Sequence, residues 1–128
     1  EMRLRRLAGP TVTFIVFVPD GDVPDLYKIA KAFLFPQYED AGIVPLEAQA
    51  CGTPVIAYGK GGALDSVRAG ETGVFFEEQT IESLGAAIET FETMRFDRNV
   101  IRDHASKFKS EVFRRKMREE VAKTIGNL

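Results

Sequence analysis

Glu39 and Glu47 stand eight positions apart across a glycine-bearing stretch. Their surroundings, from Glu39 to Ala57, put the first carboxylate in a loop behind an apolar strand and the second in the opening turn of a short helix. The backbone N–H groups between them are free to face a ligand, and a helix start favours anions. Two acceptors flanking such a start suit a molecule that is part phosphate and part hydroxyl. A sugar nucleotide is such a molecule.

Each residue also has a plainer reading. Glu47 falls on the stripe Val44, Glu47/Ala48, Cys51, whose other members are small or apolar. A carboxylate there needs a partner or a ligand, unless it is a first-turn acid complementing the helix dipole, worth about 0.3–1 kcal/mol. Glu39 is either a ligand contact or a solvated loop charge beside Asp40. Paired carboxylates also suit glycosidase-like acid/base work, but the helix start makes diol recognition the better fit for Glu47. Tyr58-Gly59-Lys60-Gly61-Gly62 has the composition of a phosphate cradle. It lacks the P-loop spacing and the Gly-x-Gly-x-x-Gly fingerprint, so ligand loop and plain turn both stand. His104 reads as a surface residue and Cys51 as a small core residue. With one His and one Cys there is no metal-ligand cluster, and no Ser/His/Asp arrangement is visible.

These residues need elements to hold them. Residues 1–8 read as a helix end, stopped by Gly9-Pro10. The apolar run Val12 to Val18 suits a strand covered on both faces, and Pro19 to Asp22 a turn. A helix is expected from about Pro24 to Lys31 with Leu26, Ile29 and Ala30 inward, then a strand over Ala32–Pro36. The helix carrying Glu47 runs from about Ile43 to Cys51 and ends at Gly52, with Pro54 preventing its continuation. Strands at Val55–Tyr58 and Val74–Phe76 enclose a short helix over Ala63–Ala69. Thr80 caps a helix with Ile81, Leu84, Ala87, Ile88 and Phe91 inward, and two further helices cover about 97–109 and 110–125. Strands alternating with helices predict an α/β fold, a parallel sheet with flanking helices. Ligands bind beyond the carboxyl ends of such strands. Loops 37–42 and 59–62, with Glu39, Glu47 and Lys60, therefore belong to one rim.

A chain of 128 residues is at most one domain. No apolar run approaches the ~18 residues of a membrane span, the first residues are no signal peptide, and a single cysteine fits a reducing compartment. Cytoplasm is the expected location. Residues 1–94 carry 7 Lys/Arg against 14 Asp/Glu, whereas residues 95–128 carry 10 against 5. Such a basic tail suits an anionic membrane surface, nucleic acid or an acidic domain. Its apolar spacing favours the plainer alternative, a solvated face on a packed helix. Phe96, Phe108 and Phe113 read as core rather than base-stacking platforms, so no nucleic-acid partner is expected.

The run 39–57 resembles the signature of the retaining glycosyltransferases of family 4, the group 1 transferases. Their Glu-x7-Glu motif maps onto Glu39 and Glu47, and the continuation through Gly52-Thr53-Pro54 to Gly61-Gly62 also follows the family. The resemblance extends from about Val12 to near residue 120. It implies a Rossmann-like domain, the carboxy-terminal half of the two-domain GT-B architecture. It also implies that Glu47 holds the ribose hydroxyls of a nucleotide-diphosphate sugar and that Glu39 meets the transferred sugar. The backbone at Gly42, Ile43 and Val44 would meet the diphosphate, with Lys60, Gly61 and Gly62 alongside. No metal or other cofactor is expected. The stretch Tyr58 to Leu64 is reminiscent of members that build surface polysaccharide, often from GDP-mannose.

Asp65 stands where relatives commonly have Glu. By the same resemblance, two strand–helix units with a phosphate-binding Arg and Lys should precede this chain, as should an amino-terminal domain that binds a glycan or lipid-linked acceptor. In the usual strand order 3-2-1-4-5-6, the strand at 12–17 is third and that at 32–36 fourth. A gap between them exposes edges that favour self-association. The leading expectation is the donor-binding half of a transferase, inactive alone, cytoplasmic or peripheral at the inner membrane face. The alternative is a non-catalytic nucleotide-sugar-binding or assembly module. A sugar-nucleotide epimerase shares the architecture but not the Glu-x7-Glu run.

Overall fold

Three short apolar segments pair into a parallel sheet; the helices between them cover one face and the helix after the last strand covers the other. The computed structural model describes residues 9–12, 20–39 and 43–126. Within these, a 3-10 turn at Asp20–Asp22 leads into α1 (Val23–Ile29). Then follow β1 (Phe33–Phe35), α2 (Ile43–Ala50), β2 (Val55–Tyr58), α3 (Ala63–Ser66), β3 (Gly73–Phe76), α4 (Ile81–Thr93) and α5 (Arg98–Gly126). The sheet order is β1-β2-β3, with Phe33 opposite Val55 and Ile56 opposite Val74. That order follows the 4-5-6 run expected of these strands. The helix expected at 1–8 and nearly all of the strand expected at 12–17 lie outside the described residues. Val12 is exposed and not in a strand.

Central β2 shows why the fold is stable. Successive side chains of a strand point to opposite faces, so Val55 and Ala57 join Phe35, Ala48, Ala63 and Val67 on one face. Ile56 joins Phe76, Ala87 and Phe91 on the other. Its unbroken apolar run is what burial on both faces requires. Ile101 and Ala105, on the first half of α5, are also fully buried, and α5 lies against α2.

Three details of the expected packing are corrected. No residue of α1 is buried: Ile29 is 81% exposed and Leu26 37%. Tyr27 turns to the core instead, edge-on to Phe33 at 5.3 Å, because its ring reaches β1 while the α1 backbone is fastened at its carbonyls. Arg98 donates to the carbonyls of Lys28 and Ala30 at 3.1 and 2.7 Å. Ile81, the first residue of α4, is 87% exposed. The helix opens there on the Thr80 cap, whose Oγ1 accepts from the Ser83 N–H at 3.1 Å. The two terminal helices are one, of 29 residues. No glycine or proline interrupts 98–125, and the Lys107–Asp103 pair lies one turn apart on its surface.

Candidate functional site

The loops that leave the carboxyl ends of the three strands are joined to one another. Gly59 N–H donates to the Phe76 carbonyl at 2.9 Å, Gln79 Nε2 to the Pro36 carbonyl at 3.0 Å, and Gly62 N–H to the Glu39 carbonyl at 2.5 Å. Gly61 makes the last approach feasible. Its φ is +74, and a Cβ there would stand 2.5 Å from the Glu39 carbonyl oxygen and against the Tyr38 ring. Glu39, Gly61 and Gly62 are thus neighbours, brought together from separate loops.

Glu39 as a residue is half-buried, and its carboxylate Oε1 accepts from Gln37 Nε2 at 2.7 Å in an exposed contact. Lys60 is exposed, with its Nζ 6.0 Å from the centre of the Tyr58 ring. Gly42 lies outside the described residues. Ile43 and Val44 open α2, Ile43 exposed and Val44 half-buried against the core. The first N–H groups of a helix have no carbonyl of their own to bond.

Glu47 sits elsewhere on the same helix. It is the fifth residue of α2, one turn beyond the start, and no acid occupies the first turn. The dipole-complementing role therefore does not apply, because that effect fades within a turn. The expected stripe divides: Val44 and Ala48 pack into the core, whereas Glu47 and Cys51 line an open hollow of about 470 Å³. Val23, Pro24 and Tyr27 of α1 line one side, Glu47, Ala50 and Cys51 the other, and Lys109 of α5 completes it. Glu47 is exposed and has no hydrogen bond or ion pair with another described residue. Glu39 does not line this hollow. Among the described residues the two carboxylates thus stand apart, Glu39 on the joined loops and Glu47 at this hollow.

The hollow has an order that its parts explain. A Schellman turn closes α2: Gly52 N–H donates to Gln49 and Thr53 N–H to Ala48, at 2.9 and 3.1 Å. Gly52 takes φ +80, the left-handed conformation this turn requires. The turn presents Thr53, whose buried Oγ1 donates to the Tyr27 carbonyl and fastens α1 beside α2. The Tyr27 phenol is held above its ordinary 10.0 by burial first, then by the Glu47 carboxylate and by Cys51.

Sequence reasoning missed Tyr27 and Lys109 as neighbours of Glu47. Val23, Pro24 and Tyr27 do recur at one-face spacing, but Leu26 and Ile29 carried the stronger apolar signal. Cys51, expected in the core, is half-buried at the hollow. His104, expected on the surface, is half-buried too, its Nε2 2.8 Å from the Ser66 carbonyl at the end of α3. Phe96 packs on Phe91 and Phe108 neighbours His104. The side chain of Phe113 lies outside the described residues. Among the described residues no group of three His, Cys, Asp or Glu could hold a metal ion, and no helix is long and apolar enough to cross a membrane.

Residues 1–108 match the family described as glycosyl transferases group 1. Similar proteins include the D-inositol 3-phosphate glycosyltransferases of Rhodococcus erythropolis (38% identity over 95 residues, 72% of this chain and 22% of the relative) and Kribbella flavida (36% over 91 residues, 70% and 22%). The chain thus spans about a fifth of these relatives' length. Among solved structures, sucrose-phosphate synthase of Thermosynechococcus elongatus, a GT-B protein, superposes with a TM-score of 0.75 at 26% identity. The superposition covers 99% of this chain and 33% of that one.

Proposed function

Because the chain belongs to the group 1 glycosyl transferases, we propose that it is the donor-binding part of a retaining enzyme. That enzyme moves a sugar from a nucleotide-diphosphate sugar to an acceptor. The observation that carries this reading is Glu47, a carboxylate with no described partner that faces a hollow one turn beyond a helix start. Both Glu47 oxygens accept hydrogen bonds, as a ribose diol requires. The first-turn N–H groups of α2 support the charge that grows on the departing diphosphate. Glu39, oriented by Gln37 on the joined rim, accepts from a hydroxyl of the sugar in transit. Lys60 and the Gly61–Gly62 backbone border the same rim.

The relatives' names specify D-inositol 3-phosphate and give no support to the mannosyl donor suggested by Tyr58 to Leu64. A phosphorylated polyol is the acceptor class we infer, a separate substrate that the whole enzyme binds. A glycan or lipid-linked acceptor is the alternative. Self-association through a strand edge belongs to the same proposal, and a monodisperse species of 14.2 kDa in sedimentation would overturn it.

Calorimetry and steady-state kinetics on the longest native polypeptide carrying this chain test the site. Glu47→Ala is expected to weaken nucleotide binding about 10-fold or more, the loss of hydrogen bonds to a charged group. Glu39→Ala is expected to lower kcat while leaving nucleotide affinity within about 2-fold, since its partner reacts rather than anchors. Unchanged values in both variants would end the assignment. Absence of heat with both GDP- and UDP-sugars would favour a non-catalytic assembly module.

A further inference from the structure

Glu39 closes residues 36–39, a stretch that leaves the carboxyl end of β1. A different loop fastens each end of it. Gly62 N–H, after β2, donates to the Glu39 carbonyl at 2.5 Å, and Gln79 Nε2, after β3, donates to the Pro36 carbonyl at 3.0 Å. From the Pro36 Cα to the Glu39 Cα the chain reaches at most about 11 Å. Two fixed carbonyls so close together leave the residues between them little freedom. Gln37, inside the stretch, then ties its amide to the Glu39 carboxylate at 2.7 Å. The place of that carboxylate depends on both ends.

Gln79 is a firm strut because the residues on either side of it are bonded to the start of α4. Thr80 Oγ1 accepts from Ser83 N–H at 3.1 Å, and Ser83 Oγ accepts from Glu78 N–H at 3.2 Å. Thr80 N–H donates to the Glu78 carbonyl at 2.8 Å and closes a turn around Gln79. This reciprocal capping joins the turn to a helix whose Ala87 and Phe91 are buried in the core. The Gln79 amide carries that fixed position across to the end of β1, 43 residues earlier in sequence.

Resting on the reading of Glu39 as the contact to the sugar in transit, we propose that Gln79 is a positioning residue for that carboxylate, acting through the Pro36 carbonyl. It works without touching the ligand. Gln79 sets where the Glu39 loop begins, and a reacting group misplaced by about 1 Å can cost on the order of 100-fold in rate. Nucleotide affinity has a different support, because Glu47 lies on α2, which packs against α5. Loss of the strut therefore appears in turnover and spares binding.

The test is steady-state kinetics and calorimetry on the same native polypeptide. Gln79→Met keeps the stem length and removes the donor. It is expected to lower kcat about 10-fold while nucleotide affinity stays within about 2-fold. Gln79→Lys restores an N–H donor on a stem of similar length and should bring kcat back to within about 3-fold. In a chain that already carries Glu39→Ala, adding Gln79→Met should change kcat by no more than about 2-fold, since the two residues act as one unit. Gln79 is exposed, so its variants report on loop position rather than folding. A kcat within about 2-fold of wild type in Gln79→Met overturns the strut. So does a loss that Gln79→Lys leaves in place, one that adds in full to Glu39→Ala, or one matched by an equal loss of affinity. Where Glu39→Ala alone still lowers kcat, the Glu39 reading survives those failures. Where Glu39→Ala changes nothing, both fall together.

Discussion

The rim and the hollow are built in opposite ways. At the rim, separate loops are held chiefly by their main chains, Gly62 N–H on the Glu39 carbonyl and Gly59 N–H on the Phe76 carbonyl, with the Gln79 side-chain amide added on the Pro36 carbonyl. At the hollow, α1 is held by side chains from its neighbours, Thr53 after α2 on the Tyr27 carbonyl and Arg98 of α5 on those of Lys28 and Ala30. A main-chain arrangement tolerates exchanged side chains but not an added Cβ in the wrong place. A side-chain arrangement is the reverse.

The largest break in this contrast should come from the rim. Gly61→Ala forces a Cβ to 2.5 Å from the Glu39 carbonyl oxygen at φ +74. It is expected to cost about 2–4 kcal/mol, combining backbone strain with a lost loop contact. Chemical denaturation measures this, and a loss under about 1 kcal/mol would show that the loops separate freely. Thr53→Val removes one buried hydrogen bond from the base of the hollow and should cost about 1–2 kcal/mol. The rim should keep its order, so kcat should change less than nucleotide affinity. Equal changes in both would mean that hollow and rim move as one.

The smallest effect is a pH slope. Because the Tyr27 phenol is held above 10.0 in the folded chain, the unfolded chain releases that proton first as pH rises. Its contribution is fully present below the unfolded value and is lost as pH rises toward and through the folded one. Tyr27→Phe should flatten this decline, measured as urea midpoints between about pH 8 and pH 11. Identical slopes in both proteins would remove burial and Glu47 as the cause.

Much of the frame was readable in advance, and the physical reasons differ by element. Val55 to Ala57 is unbroken and apolar because both faces of its strand are covered. Gly52 ends α2 because the closing turn needs a left-handed residue, and Thr80 starts α4 because its hydroxyl caps an N–H. Errors arose where several side chains competed for one face. Leu26 and Ile29 outrank Tyr27 in hydropathy, yet the aromatic ring reaches β1 while the aliphatic pair faces solvent. His104 reads as a surface residue in the sequence because its acceptor, the Ser66 carbonyl, lies 38 residues away.

The candidate site divides along the same line. The Glu-x7-Glu spacing, the glycine loop and the helix between them are local facts, set by residue type and turn chemistry within a few positions. Their family resemblance was therefore visible without coordinates. The place of Glu47 one turn inside its helix and the meeting of Gly61 with Glu39 required the folded chain, as did the gathering of Glu47, Tyr27 and Lys109 around one open hollow. Those neighbours come from segments far apart in sequence, joined only when the parallel strands pair and the helices pack across them. Spacing along a chain fixes which face of one element a side chain occupies. Which other element meets that face is decided by the packing of the whole.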